Sequence, residues 1–159
     1  MRTLPLSKGY VALVDNEDYA HVSHLKWYAV VCSNTVYARH NVPRAGRKRA
    51  GSLSLHRVIL GVTDPKVEVD HKNGNGLDCQ KHNLRKCTHS QNQKNQRKTR
   101  GSSQYKGVSW NKADRRWEAK IENAGFTIHL GRYKIEKDAA LAYDVAARKH
   151  FGEFAHTNF

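Results

Sequence analysis

The sequence predicts an α+β protein built in two parts, and three observations predict it. Short runs rich in aromatic and β-branched residues, separated by turn signals, fill the first sixty residues. An order of strand, glycine-rich loop, strand and polar helix follows from Val67 to about Lys98. Beyond a polar stretch, three alternating segments precede one alanine-rich amphipathic helix.

Tyr10–Val14 is β-prone and stops at the turn formers Asp15-Asn16, after which Glu17 opens a polar stretch. Leu25–Val31 again favours strand, and Val36–Arg39 is expected to pair with it across Ser33-Asn34. Residues 44–49 read as an exposed basic loop, and Ser54–Leu60 as a short amphipathic helix closed by Gly61. Val67–His71 alternates like a strand, Lys72–Gly76 is a turn, and Leu84–Cys87 returns as a second strand. Thr88 with Gln91 three residues on is a capping-box pattern, so a helix is expected from about His89 to Arg97. Residues 99–104 have linker composition. Strands are then expected at Tyr105–Trp110, Arg116–Glu122 and Thr127–Leu130. In the middle one Trp117, Ala119 and Ile121 alternate with Arg116, Glu118, Lys120 and Glu122. Glu136–Phe151 is helical, with Ala139, Ala140, Tyr143, Ala146, Ala147 and His150 on one stripe and Gly152 at its end.

The 28 Lys and Arg against 14 Asp and Glu leave a net charge of +14, which suits an anionic polymer as partner. The excess is concentrated. No acid lies between Asp18 and Asp64, where Lys26, Arg39, Arg44, Arg47, Lys48, Arg49 and Arg57 fall. None lies between Asp78 and Asp114, where Lys94, Arg97, Lys98, Arg100 and Lys106 fall among others. No apolar run has the roughly 18–20 residues of a membrane span, and no signal-peptide pattern opens the chain. Three cysteines without a secretory signal point to a reducing cytoplasm rather than a disulfide framework.

The sharpest chemical signal is Asp70-His71, then Asn83, then Asn92. Metal-assisted phosphodiester hydrolysis needs an oxygen ligand for a hard ion, a base for water and a rigid support for that base. Asp70 suits the ion, and His71, on the opposite side of the strand, suits the base because an ordinary imidazole titrates near neutral pH. Asn92 offers a carbonyl oxygen from the helix, and Asn83 offers an amide to pin the loop and orient the imidazole. The runs Val69–Asn75, His82–Arg85 and Thr88–Asn92 resemble the HNH nuclease family, particularly its phage and intron-encoded homing endonucleases, over about Leu55–Lys98. The resemblance implies a ββα-metal module with Asp70 and Asn92 on a divalent ion (Mg²⁺ or Mn²⁺), His71 as general base and Asn83 structural. Leu55-His56-Arg57 resembles a segment that recurs just upstream of such modules. There His56 is expected to pack and Arg57 to reach phosphate. Cys79, His82, Cys87 and His89 form a rival set for a structural Zn²⁺, against which their irregular spacing speaks.

The last sixty residues carry a second signal in Tyr105–Val108, Trp117–Ile121, His129–Tyr133, Asp138–Ala147 and Ala155–Phe159. These resemble the ethylene-response-factor (apetala-two class) DNA-binding domain, which lays a three-stranded sheet in the major groove with its helix behind. The resemblance places Lys106, Ser109, Asn111, Lys120, Thr127 and His129 against DNA. Ser109, Lys120 and His129 depart from the residues usual in the plant members, so the base sequence read does not carry over.

The fold class is thus α+β, an N-terminal β-rich region leading into a ββα-metal HNH module, then a three-stranded antiparallel sheet packed on one helix. The first part covers residues 1–98, with the HNH core at about 55–98, and the second covers 105–159. The expected activity is sequence-directed hydrolysis of double-stranded DNA by a monomer nicking one strand, in the cytoplasm of a bacterial or phage-infected cell. Backbone contacts are expected from Arg44, Arg47, Lys48, Arg49, Arg57, Lys94, Arg97, Lys98 and Arg100. The alternatives are a non-catalytic DNA-binding regulator that keeps the HNH scaffold, and an RNA-binding protein.

Overall fold

The computed structural model describes residues 1–33, 35–43, 51–96 and 101–159. They form two compact units, residues 1–92 and 93–159. The α+β expectation holds, with several small antiparallel sheets among the helices.

In the first unit β1 (Arg2–Pro5) pairs antiparallel with β2 (Val11–Val14), and α1 (Asn16–Val22) follows. Neither β1 nor α1 is foreseen above. The stretch from Glu17, read as merely polar, is a two-turn helix whose Val22 and Tyr19 face the core. A three-stranded sheet runs in the order β3 (Tyr28–Val31), β4 (Val36–Val42), β5 (Gly51–Ser54). The β3–β4 pairing is the expected hairpin, but β3 begins at Tyr28 rather than Leu25. Trp27 is drawn inward before it, its indole N–H donating to Val22 O at 2.8 Å. Strand β5 is a further element the sequence did not disclose, and α2 (Leu55–Ile59) is the expected short helix. Then β6 (Glu68–His71) and β7 (Leu84–Cys87) pair antiparallel, with Asp70 opposite Arg85 and His71 opposite Leu84. Helix α3 (His89–Asn95) opens with the capping box in place. Gln91 N donates to Thr88 Oγ1 at 3.2 Å, and Thr88 N donates to Gln91 Oε1 at 2.9 Å.

The core of this unit takes one or two residues from nearly every element, among them Leu4, Val14, Val22, Trp27, Ala38, Leu55, Val69, Cys79 and Leu84. A fully buried Leu55 contributes about 1.5–3 kcal/mol, so this shared core ties the small sheets to one another. The loop between β6 and β7 is fastened to β2, with Leu13 N donating to Leu77 O at 2.8 Å and Cys79 N to Leu13 O at 2.9 Å.

In the second unit β8 (Val108–Asn111), β9 (Arg116–Asn123) and β10 (Phe126–Tyr133) form an antiparallel sheet in the order β10-β9-β8. Helix α4 (Glu136–Phe151) packs on one face, with Ala139, Ala140, Tyr143 and Ala147 against Val108, Ala119 and Ile121. His150, expected on that stripe, is instead exposed, because the buried face passes through Asp144. Gly107 sits at φ +74° where a Cβ would lie 1.9 Å from the Tyr143 ring, so only glycine allows that approach. No helix among the described residues is long and apolar enough to cross a membrane.

Candidate active site

Strand alternation decides what each residue of β6 faces. Val69 joins the core, whereas Glu68 and Asp70 share the other face. Asp70 is 5% exposed, and Arg85, directly across the hairpin, donates to its Oδ2 from Nε at 2.8 Å and Nη2 at 2.6 Å. Glu68 meets α3. Its Oε2 accepts from Asn92 Nδ2 at 2.7 Å, and its Oε1 lies 2.7 Å from His89 Nδ1. The Asn92 amide is the first cause, and the His89 contact a further one, that holds the Glu68 carboxyl below its usual range.

His71 is likewise 5% exposed, with its ring 5.0 Å from that of His56 and 5.9 Å from that of Tyr37. Burial pushes His71 down to about 4 against the smaller pull of Asp70, so its imidazole is neutral at neutral pH and able to accept a proton. Burial, then the neighbouring His71, Arg57 and Arg39, takes His56 down to about 3. His56 packs as expected, against Tyr37 and His71, but its buried Nδ1 meets no hydrogen-bond partner among the described residues. Tyr37, Arg39, His56, Glu68 and Asn92 line a cleft of about 240 Å³.

Asn83 is buried and its amide is spent on the loop rather than on the imidazole. Its Oδ1 accepts from Asn73 N at 3.0 Å, and its Nδ2 donates to Asp78 O at 2.8 Å. Gly76 in the same loop lies flush on β4, where a Cβ would meet Val36 O at 2.6 Å and the Tyr37 ring at 2.8 Å. The zinc set does not gather. Cys79 lies in the core with Sγ 3.8 Å from His71 Nε2, and His89 is paired with Glu68. Among the described residues no group of three or more His, Cys, Asp or Glu is placed to hold a metal.

Arg57, expected to reach phosphate, donates instead to Val67 O at 2.6 Å and Asp64 O at 2.7 Å, clamping the turn before β6. Arg44, Arg47, Lys48, Arg49, Arg97, Lys98 and Arg100 lie outside the described residues. In the second unit Lys94 Nζ donates to Glu122 O at 2.9 Å. Lys106, expected on the open sheet, donates to Lys94 O and Gln96 O, and burial followed by Lys94 pushes it down to about 8. The sheet face away from α4 carries Ser109, Asn111, Lys120, Thr127 and His129 as the alternation requires, together with Arg116, Glu118 and Arg132. Glu118 lies 3.4 Å from His129 Nδ1 and 3.9 Å from Arg132 Nε, and Arg132 also pairs with Asp114.

Residues 55–94 match the HNH endonuclease family. An uncharacterized HNH endonuclease of Acanthamoeba polyphaga mimivirus is 30% identical over 156 residues, which cover 95% of this chain and 76% of the viral protein. The chain belongs to the HNH endonuclease family. It is also 41% identical over 63 residues to an AP2-like ethylene-responsive transcription factor of Arabidopsis thaliana, 38% of this chain and 18% of the plant protein. A rice protein of the same description shows 41% identity over 63 residues, 10% of its own length.

Three residues of this HNH chain reach the cleft without having been foreseen. Glu68 was legible, since it stands two residues before Asp70 in an alternating strand and so shares its face. Tyr37 and Arg39 were not. Only the register of β4 with β3 and β5 brings them there, and both precede the segment that matches the family.

Proposed function

We propose that the chain is a homing-type endonuclease that hydrolyses a phosphodiester of double-stranded DNA with a divalent ion, Mg²⁺ or Mn²⁺. The observation that carries the proposal is a buried imidazole, His71, packed 5.0 Å from the ring of His56, which lines a cleft together with Glu68 and Asn92.

Asp70 and Asn92 would hold the ion, and their donors fit it. One is a carboxylate and the other an amide carbonyl, both hard oxygens. Asn92 donates from Nδ2 to Glu68, and its carbonyl oxygen would serve the cation. Such an ion supplies charge neutralisation at the scissile phosphate when bound. His71 takes the proton of the attacking water, and its neutral state makes this available without prior deprotonation. Arg85 fixes the Asp70 carboxylate, and Asn83 fixes the loop that follows His71.

The second unit serves as the docking module, laying Ser109, Asn111, Lys120, Thr127 and His129 on duplex DNA. This rests on the two-faced sheet and on the 63-residue likeness to plant AP2-like factors. The net charge of +14 supplies affinity that falls steeply with salt. A monomer with one such site, acting in the cytoplasm of a bacterial or phage-infected cell, nicks one strand at a time. Incubation of the full chain with supercoiled plasmid, in magnesium, manganese or chelator, tests the reading. Nicking that requires the metal supports it, whereas a shifted plasmid left intact in every condition turns it to the regulator reading.

A further inference from the structure

One arginine in the cleft has no assignment. Arg39 lies on β4, the central strand of its sheet, with Tyr28 opposite on one side and Ser54 on the other, so its backbone is held from both edges. Ala38 beside it is in the core, which turns Tyr37 and Arg39 together to the cleft. Its Nε is buried and meets no hydrogen-bond partner among the described residues. The nearby acids are committed elsewhere, Asp70 to Arg85 and Glu68 to His89 and Asn92. The other two arginines of the neighbourhood are committed as well, Arg57 to backbone carbonyls and Arg85 to Asp70.

The buried Nε bears a desolvation cost that no hydrogen bond among the described residues offsets, while the part-buried side chain faces the cleft. Its planar fork matches a tetrahedral phosphate, which it grips through two parallel N–H bonds. We infer that Arg39 binds the non-bridging oxygens of the scissile phosphate, a role that rests on the nuclease reading and extends the catalytic set beyond the family-matched segment. As the bond from water oxygen to phosphorus forms and the bond from phosphorus to O3′ breaks, charge gathers on those oxygens. His71 takes the water's proton, the leaving O3′ takes one from solvent, and Arg39 stabilises the charge between. Tyr37, packed against His56 and His71, keeps the arginine and the imidazole at a fixed spacing.

The test is single-turnover nicking of supercoiled plasmid at saturating protein by the full chain, its Arg39→Ala and Arg39→Lys variants, and His71→Ala. Arg39→Ala slows nicking about 100- to 1,000-fold, without a matching loss of DNA affinity in a gel shift. Free guanidinium, added below its denaturing range, restores part of the rate to Arg39→Ala and none to His71→Ala. If Arg39→Ala melts early, Arg39→Lys decides, because it keeps the charge but not the fork and must remain slow while folded. An Arg39→Ala that nicks at the wild-type rate while His71→Ala is dead overturns the role of Arg39 and leaves the nuclease reading standing. Equal nicking by all the variants overturns both, and so does a wild type that cuts nothing. A slow Arg39→Ala that guanidinium does not revive, or whose loss equals its loss of binding, also overturns the proposal.

Discussion

The carboxylate of Asp144 holds the end of the second unit in place, and its removal has a calculable cost. Asp144 stands on α4, is 1% exposed and accepts three N–H bonds, from Asn158 N at 2.8 Å, Asn158 Nδ2 at 2.9 Å and Phe159 N at 2.9 Å. Asn158 in turn accepts from Lys106 N at 2.7 Å, so one acid organises both the tail and the entry to β8. Each charge-assisted bond contributes about 1.5–3 kcal/mol net. The three do not add, because a released tail regains water for its donors, and Asp144→Ala should therefore cost about 3–5 kcal/mol. Asp144→Asn keeps one acceptor but turns an N–H₂ toward a donor, and should cost somewhat less. Urea unfolding, followed by the near-UV dichroism of the Trp110–Trp117 pair, reads this unit, since those rings sit 5.0 Å apart within it. The midpoint should fall with little change in slope. An Ala variant within about 1 kcal/mol of the wild type would refute the reasoning.

Three further outcomes follow from the first unit. Gly76→Ala drives a methyl into Val36 O and the Tyr37 ring; it should cost about 1–3 kcal/mol and slow cleavage, measured by thermal melting beside plasmid nicking. His56 and His71 have folded values near 3 and 4, below the ordinary 6.5. Their burial therefore stabilises the fold fully above about pH 6.5 and is lost as the pH falls through about 4, by a few kcal/mol. His56→Phe should flatten that acid limb in a pH series of urea midpoints, and an unchanged limb would show that His56 does not carry it. Thr88→Ala breaks the capping box and should cost about 1 kcal/mol, read as lost helicity or a lower melting point.

What the sequence disclosed follows from the range over which each signal acts. Helix α4 is bounded where the alanine stripe and Gly152 place it, and the Thr88–Gln91 box marks the start of α3, because both are local devices. Strands β1 and β5 have four residues each and α1 seven, too few for a period to stand out. Two cations expected on DNA are turned to the protein for one reason. Arg57 was expected at phosphate and Lys106 on the DNA-facing sheet, yet carbonyls left open by neighbouring turns and by the end of α3 lie within their reach. Asp70, His71, Asn83 and Asn92 could be proposed as a set from the sequence because the runs that resemble the HNH family lie within one hairpin and helix. Arg39 was not, since its place in the cleft depends on register across the sheet.

The central claim is that His71 activates water for phosphodiester hydrolysis. Single-turnover cleavage of supercoiled plasmid in magnesium, by wild type and His71→Ala at concentrations that fully shift the DNA, tests it most directly. The account predicts that His71→Ala binds equally and cuts at least about 100-fold more slowly. A His71→Ala that cuts at the wild-type rate would contradict it.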